Sequence, residues 1–247
     1  MGLQLVQQTF VFLDGISRRK EQALWRGGIH DWNEFIRAER IAGISPERKS
    51  YYDRQLRKAQ EALTADDSTY FCRFPSKEQW RLYEQFKDEA GYVDVEVDSR
   101  GKIIVIGISD YYTTHTFVRG INLEKTAIEK ELEKYKIMVT FNGRSFDAPK
   151  LKKEFGIEIR VPHIDLKPLC IKLGMKGGLK EVEKQLNLQR PPHLHGNPVD
   201  LWKAFHASGD REWLDLLIAY NSEDIENLKW IMDHCYKEME KGLRQPV

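Results

Sequence analysis

The stretch that decides the fold runs from residue 92 to residue 109: Tyr92-Val93-Asp94-Val95-Glu96-Val97-Asp98-Ser99-Arg100-Gly101-Lys102-Ile103-Ile104-Val105-Ile106-Gly107-Ile108-Ser109. Tyr92–Val97 alternates and Lys102–Ser109 is β-rich, so the two read as strands joined by a short turn. Residues two apart on a strand share a face, which sends Asp94 and Glu96 one way and Val93, Val95 and Val97 the other. A sheet covered on both faces does not carry two such acids unless something positive sits beside them. An edge strand with a wet face does, and the pair by itself leaves both readings open.

Outward from this stretch, Thr114–Val118 and Ile137–Phe141 are a third and a fourth strand, with a helix over Leu123–Tyr135 between them. Another helix follows Asp147, and the rest is mostly helical, the longest helix running from about Asp210 to Lys241. Gly174–Gly178 and Arg190–Pro198 are the clearest loops. Upstream, Ser17 caps a helix to about Arg26, His30 or Asp31 starts one through Arg40, and Ser45-Pro46 starts one through Leu63. Thr64–Ser68 is a polar break, and Ser76–Ala90 is helical again. The order describes an α/β chain: a mixed sheet flanked by helices, preceded by a small helical region.

With 247 residues, 39 Lys+Arg and 38 Asp+Glu, the net charge of +1 announces neither a nucleic-acid nor a membrane partner. Hydrophobic residues at 41% and aromatics at 11% support a packed core and exclude a disordered chain. The front is nevertheless basic: residues 1–60 hold 11 Lys/Arg against 7 Asp/Glu, leaving 28 against 31 for the remainder. That split fits an anion gripped by one part and cations held by another, or a scatter of charges on solvated helices. No apolar run approaches a membrane span, and Met1–Phe12 lacks a signal-peptide pattern, so a cytoplasmic protein is expected. Cys72, Cys170 and Cys235 make neither a disulfide framework nor a zinc site, and His193 and His195 lack further zinc ligands at suitable spacing.

Two more acids stand out. Asp147 closes Asn142-Gly143-Arg144-Ser145-Phe146-Asp147 directly after the fourth strand, at the start of a helix, where it can be an N-cap or a ligand. In the last helix Leu217, Tyr220, Asp224, Leu228 and Ile231 follow at spacings of 3, 4, 4 and 3 and form one stripe. Asp224 therefore sits on the apolar face, where a carboxylate costs several kcal/mol in practice unless it is paired or coordinates a metal. Tyr220 places a phenol one turn away. Asp94, Glu96, Asp147 and Asp224 form a hard-oxygen set that suits Mg²⁺ or Mn²⁺. Two such ions per site would neutralise it and clamp the attacking and leaving oxygens of an in-line phosphoryl displacement.

The segments Asp94–Glu96, Asn142–Asp147 and Tyr220–Asp224 together resemble the DEDD exonuclease superfamily of ribonuclease-H-like folds. The Tyr-x-x-x-Asp spacing resembles its tyrosine branch, and the YprB-like domain is the most similar group. His163-Ile164-Asp165-Leu166, Gly178–Glu183 and Gly196-Asn197-Pro198 look like that group as well, over about residues 89–235. The resemblance implies 3′→5′ exonucleolysis to nucleoside 5′-monophosphates. Asp94, Glu96 and Asp224 would hold the metals, Asp147 would complete the shell, and Glu96 and Tyr220 would orient the attacking water. Where many relatives have two threonines and a glycine, this chain has Val97-Asp98-Ser99-Arg100-Gly101, which bears on how the terminal nucleotide is seated. His163 and Asp165 are expected as loop anchors near the site, with support of the metal ligands as the alternative.

Leu13-Asp14-Gly15-Ile16-Ser17 followed by a basic helix resembles a helix-hairpin-helix motif, which aims backbone N–H groups at a DNA phosphate. On this reading Gly15, Ser17, Arg18, Arg19 and Lys20, with Asn142 at the nuclease site, contact nucleic acid. The alternative is a helical pack that only supports the rest.

The sequence thus leads to three regions: 1–65, helical and helix-hairpin-helix-like; 66–88, connecting; and 89–247, the ribonuclease-H-like exonuclease domain. The expected partner is single-stranded nucleic acid, DNA favoured over RNA, with no membrane and with homo-oligomerisation left open. A structure-selective endonuclease on the same fold and a non-catalytic nucleic-acid-binding module are the rival readings.

Overall fold

Ser17, Asp31 and Ser45 each turn a side-chain oxygen back onto the first turn of a helix and fix where three helices begin. They accept from the backbone N–H of Lys20, Glu34 and Arg48 at 3.4, 2.8 and 3.3 Å and start α1 (Arg18–Arg26), α2 (Trp32–Arg37) and α3 (Pro46–Thr64). The structure is a computed structural model and describes residues 4–110, 112–194 and 196–244. It divides into two compact units, Met1–Lys87 with Arg160–Pro162, and Asp88–Ile159 with His163–Val247.

In the first unit α2 stops three residues before the expected Arg40, because Ala38 is already extended and Ile41 and Ile44 pair across a turn at Gly43, φ +76°. The expected helix over residues 76–90 is mostly 3₁₀: Ser76–Leu82 is 3₁₀, α4 (Tyr83–Phe86) is one α turn, and Lys87–Glu89 is 3₁₀ again. The cause is a buried ion network. A 3₁₀ helix eclipses residues three apart, and Arg81 Nε meets Glu78 Oε2 at 2.9 Å while its Nη1 donates to Glu21 Oε2 at 2.8 Å. Glu21 also accepts from Phe10 N at 2.7 Å. Phe10, Trp32, Phe35, Phe71 and Trp80 pack as the core of this unit.

In the second unit β1 (Ala90–Val97) buries Val93 and Val95 and leaves Asp94 and Glu96 half-buried, as the alternation predicts. β2 (Ile103–Ser109), buried throughout, and β3 (Thr114–Val118) continue an antiparallel meander. α5 (Lys125–Leu132) then leads to β4 (Ile137–Thr140), parallel to β1. After α6 (Asp147–Phe155) comes β5 (His163–Asp165), parallel to β4, a three-residue strand too short to be read as one from its sequence. The sheet order is β3-β2-β1-β4-β5, a mixed five-stranded sheet. α7 (Leu166–Lys172), α8 (Leu179–Gln185) and α9 (Pro198–Ser208) precede α10 (Arg211–Arg244), whose 34 residues pack across β1 and β2. Leu217, Tyr220, Asp224, Leu228 and Ile231 are all buried, as their spacing requires. Among the described residues no helix is long and apolar enough to cross a membrane.

Candidate active site

The β1–β4 ladder ends at Tyr92 opposite Val139, so β1 continues past β4 with no strand partner on that side. Asp94 and Glu96 lie on this free length. α10 crosses over them and brings Asp224, so that Asp94, Glu96 and Asp224 offer carboxylate oxygens within 4.8 Å of one another. Asp147 is outside that set, but its charge acts on both Asp94 and Glu96. It does not cap α6: Phe146 holds the cap position, and Asp147 is the first helical residue. One of its oxygens, Oδ1, is buried without a hydrogen-bond partner, and a buried acceptor left so needs an explanation.

The electrostatics of the cluster are those of acids without enough counter-charge. Burial, with the charges of Glu96, Asp224 and Asp147, holds the Asp94 carboxyl well above the usual range. Burial, then Asp224 and Asp147, pushes Glu96 up to about 7 against the pull of Lys180 and Arg190. Asp147 is likewise pushed up to about 7, first by burial, with backbone N–H groups of Asp147 and Val95 opposing. Asp224 rises to about 6 through burial, held back chiefly by Arg190. Tyr220, 5% exposed, has its phenol raised by burial and by the charges of Asp224 and Glu96, so its hydroxyl stays protonated. Four carboxylates, one with an orphaned oxygen, are a donor set that fits a hard divalent cation and resists being charged without one.

Supporting residues fix these acids. Asn221 Nδ2 donates to Asp94 Oδ2 at 2.7 Å. Asp165 accepts from Asn142 N at 2.8 Å, Arg144 N at 3.2 Å and Lys167 N at 3.1 Å, which sets the loop that delivers Asp147. His163 Nε2 lies 2.7 Å from Thr140 Oγ1, and burial pushes the imidazole down to about 3. Asp165 thus anchors the loop out of β4, while the His163 side chain ties β5 to β4. Asn142 is half-buried with φ +64°, at the turn out of β4. Sequence reasoning assigned no role to Asn221, Gly107, Glu183 or Arg190. A lone glycine inside the apolar run of β2 and an asparagine beside Tyr220 on a buried stripe were the available signals.

In the first unit, Gly15 has φ +79° and its carbonyl accepts from Lys20 Nζ at 3.0 Å. Ser17 is the α1 cap described above. Arg18 forks onto Glu78 at 2.7 and 3.0 Å and so serves the buried ion network, whereas Arg19 and Lys20 are exposed. His193 is exposed, and His195 lies outside the described residues.

The family model RNase_H_2, described as RNase_H superfamily, matches residues 91–236, which span β1 to most of α10. The chain belongs to the RNase H superfamily. RNase H-like domains act on nucleic acid and use divalent metals, and this membership suggests a nucleic-acid-acting hydrolase. The matched segment contains every acid of the cluster together with Tyr220. A search of curated proteins gives no significant match.

Proposed function

We propose that this RNase H-like protein is a metal-dependent 3′→5′ exonuclease acting on single-stranded ends, DNA in preference to RNA, and releasing nucleoside 5′-monophosphates. The observation that carries this reading is the meeting of Asp94, Glu96 and Asp224 within 4.8 Å, with Tyr220 one turn before Asp224 on the same helix. Asp94, Glu96 and Asp224 would hold Mg²⁺ or Mn²⁺, with Asp147 completing the shell. Bound there, the ions would lower the pKa of water and neutralise charge developing on the phosphoryl oxygens. Glu96 accepts a hydrogen from the attacking water, and the protonated Tyr220 hydroxyl fixes the direction of attack. Asn221 keeps Asp94 in the rotamer that faces the other acids. The tyrosine is what favours the exonuclease branch, through the resemblance of the Tyr220–Asp224 segment to it. The region around Gly15–Lys20 adds contacts to the phosphate backbone, with Arg19 and Lys20 as the exposed cations among the residues assigned to it.

The test is digestion of 5′-labelled single-stranded DNA and RNA with Mg²⁺ or Mn²⁺, resolved at single-nucleotide steps. A ladder that shortens from the 3′ end is the expected result. Internal cuts at discrete sites identify an endonuclease, and no product in either metal identifies a binding module.

A further inference from the structure

Arg190 follows α8 and sits against the acid cluster without being one of its acids. Its Nε donates to Glu183 Oε2 at 2.6 Å and its Nη2 to Glu183 Oε1 at 2.6 Å, a two-pronged pairing with a carboxylate that is 2% exposed. Nη2 also donates to Asp224 Oδ1. Glu183 is held in turn by Asn227 Nδ2 at 3.1 Å. The guanidinium carbon lies 5.5 Å from the centroid of the Tyr220 ring, and Lys180 Nζ lies 4.2 Å from the same centroid. A guanidinium has five N–H donors. Three are taken by Glu183 and Asp224, and Nη1, which carries the other two, is buried with no hydrogen-bond partner.

Three roles would place an arginine here. As a counter-ion of Glu183 it needs only the Nε edge. As a positioning residue for Asp224 it needs only Nη2. Neither accounts for Nη1, whose two donors are kept dry beside the acids and the phenol of the proposed site. A cluster of carboxylates repels a phosphodiester, and planar N–H donors held in place are what recognises its oxygens.

We propose that Arg190 is a phosphate-binding residue: pinned by Glu183 along its Nε edge, it donates from Nη1 to a non-bridging oxygen of the phosphodiester held at Asp94, Glu96 and Asp224. This rests on the nuclease reading above. It adds to that reading a residue that grips the substrate from outside the acid set.

The experiment compares wild type, Arg190→Gln, Arg190→Lys and the double variant Glu183→Gln/Arg190→Gln, which removes the Glu183 charge together with its partner and leaves Asp224 as the one carboxylate that loses the guanidinium. Turnover of a short oligonucleotide is measured over a Mn²⁺ titration, beside thermal midpoints and oligonucleotide affinity in Ca²⁺. The expected result is a fall in turnover of about 100- to 1,000-fold at saturating Mn²⁺ in the double variant, the range seen on losing one transition-state donor. With saturating Mn²⁺ supplying the counter-charge that Asp224 loses, its midpoint should stay near that of wild type, and Arg190→Lys should restore little, because an ammonium lacks the fork. A substrate with a methylphosphonate at the scissile linkage, in the isomer lacking the contacted oxygen, should be turned over equally by wild type and double variant. Wild-type turnover in the double variant makes Arg190 a counter-ion only. A shifted Mn²⁺ requirement with full turnover at saturation makes it a positioning residue for Asp224. Either result overturns the proposal. If wild type itself cleaves nothing, the nuclease reading falls separately, and the Ca²⁺ affinities still decide: about tenfold weaker binding by the double variant supports Arg190, and equal binding overturns it.

Discussion

Asn221 reaches from α10 to Asp94 on β1, Nδ2 to Oδ2 at 2.7 Å, through space left by a glycine on the neighbouring strand. Gly107 stands opposite Asp94 in the β1–β2 register, and a Cβ built there would fall on Asn221 Oδ1 and Ile225 Cδ1. Gly107→Ala should therefore cost about 1–3 kcal/mol of stability by overpacking and displace the amide that holds the acid. Asn221→Ala should leave the sheet intact and reduce turnover about 10- to 100-fold, the usual cost of removing a partner of a metal ligand. Chemical denaturation and single-turnover cleavage, run on both variants, distinguish the two effects. Wild-type turnover in both would mean that Asp94 does not need its amide partner.

Asp94→Asn and Asp224→Asn should each lower activity about a hundredfold or more, since each removes a carboxylate proposed to hold the metal. In metal-free buffer the same substitutions should raise the thermal midpoint or leave it unchanged, because they relieve repulsion among buried acids. Midpoints with EDTA and with Mg²⁺ provide the check. A variant that loses its fold along with its activity would count against the site assignment.

The pH dependence follows from the same repulsion. Glu96, Asp147 and Asp224 have folded values of about 7, 7 and 6, above the ordinary carboxylate range near 4. Groups with raised folded values favour the folded state fully below their unfolded values, and that contribution is lost as pH rises through the folded ones. Metal-free protein should accordingly lose stability between about pH 5 and 8, and a Glu96→Gln/Asp147→Asn variant should lose less. Added Mg²⁺ should raise the midpoint more at pH 8 than at pH 5.5, because the ligands bind deprotonated. Equal metal stabilisation at both pH values would contradict this.

Tyr220→Phe keeps the ring between α10 and the cations of Lys180 and Arg190 and removes one hydroxyl. If that hydroxyl orients the attacking water, turnover should fall roughly ten- to a thousand-fold while the Mn²⁺ requirement stays put. A single-turnover Mn²⁺ titration reads both at once. An unchanged rate makes Tyr220 a packing residue.

What could be read in the sequence was whatever repeats with a period. The alternation of β1 and the stripe of α10 are local patterns, and they placed Asp94, Glu96 and Asp224 on the faces they occupy. β5 was missed because three residues carry no period, and the partners that tie His163 and Asp165 to β4 and its loop, Thr140 and Asn142, lie more than twenty residues away. The 3₁₀ run over Ser76–Leu82 was missed because its cause is the ion network of Arg81 with Glu21, sixty positions apart. Arg190 was invisible for the same reason: it lies in a loop and meets Asp224 thirty-four positions later. Arg18, expected at a phosphate or within a supporting helical pack, is paired with Glu78, sixty positions later.

From Val93 onward β1 has no partner in β4, and the backbone N–H of Val95 turns to the carboxylate of Asp147 instead. Removing the charge of Asp94 or Asp224 leaves that backbone arrangement in place and makes the site less repellent to a polyanion. A cleavage-dead variant is thus expected to hold the end of a strand longer than the working protein does, and to keep whatever nucleic acid it meets. The chain can be turned into its own trap, and sequencing what the trap retains would name its natural substrate.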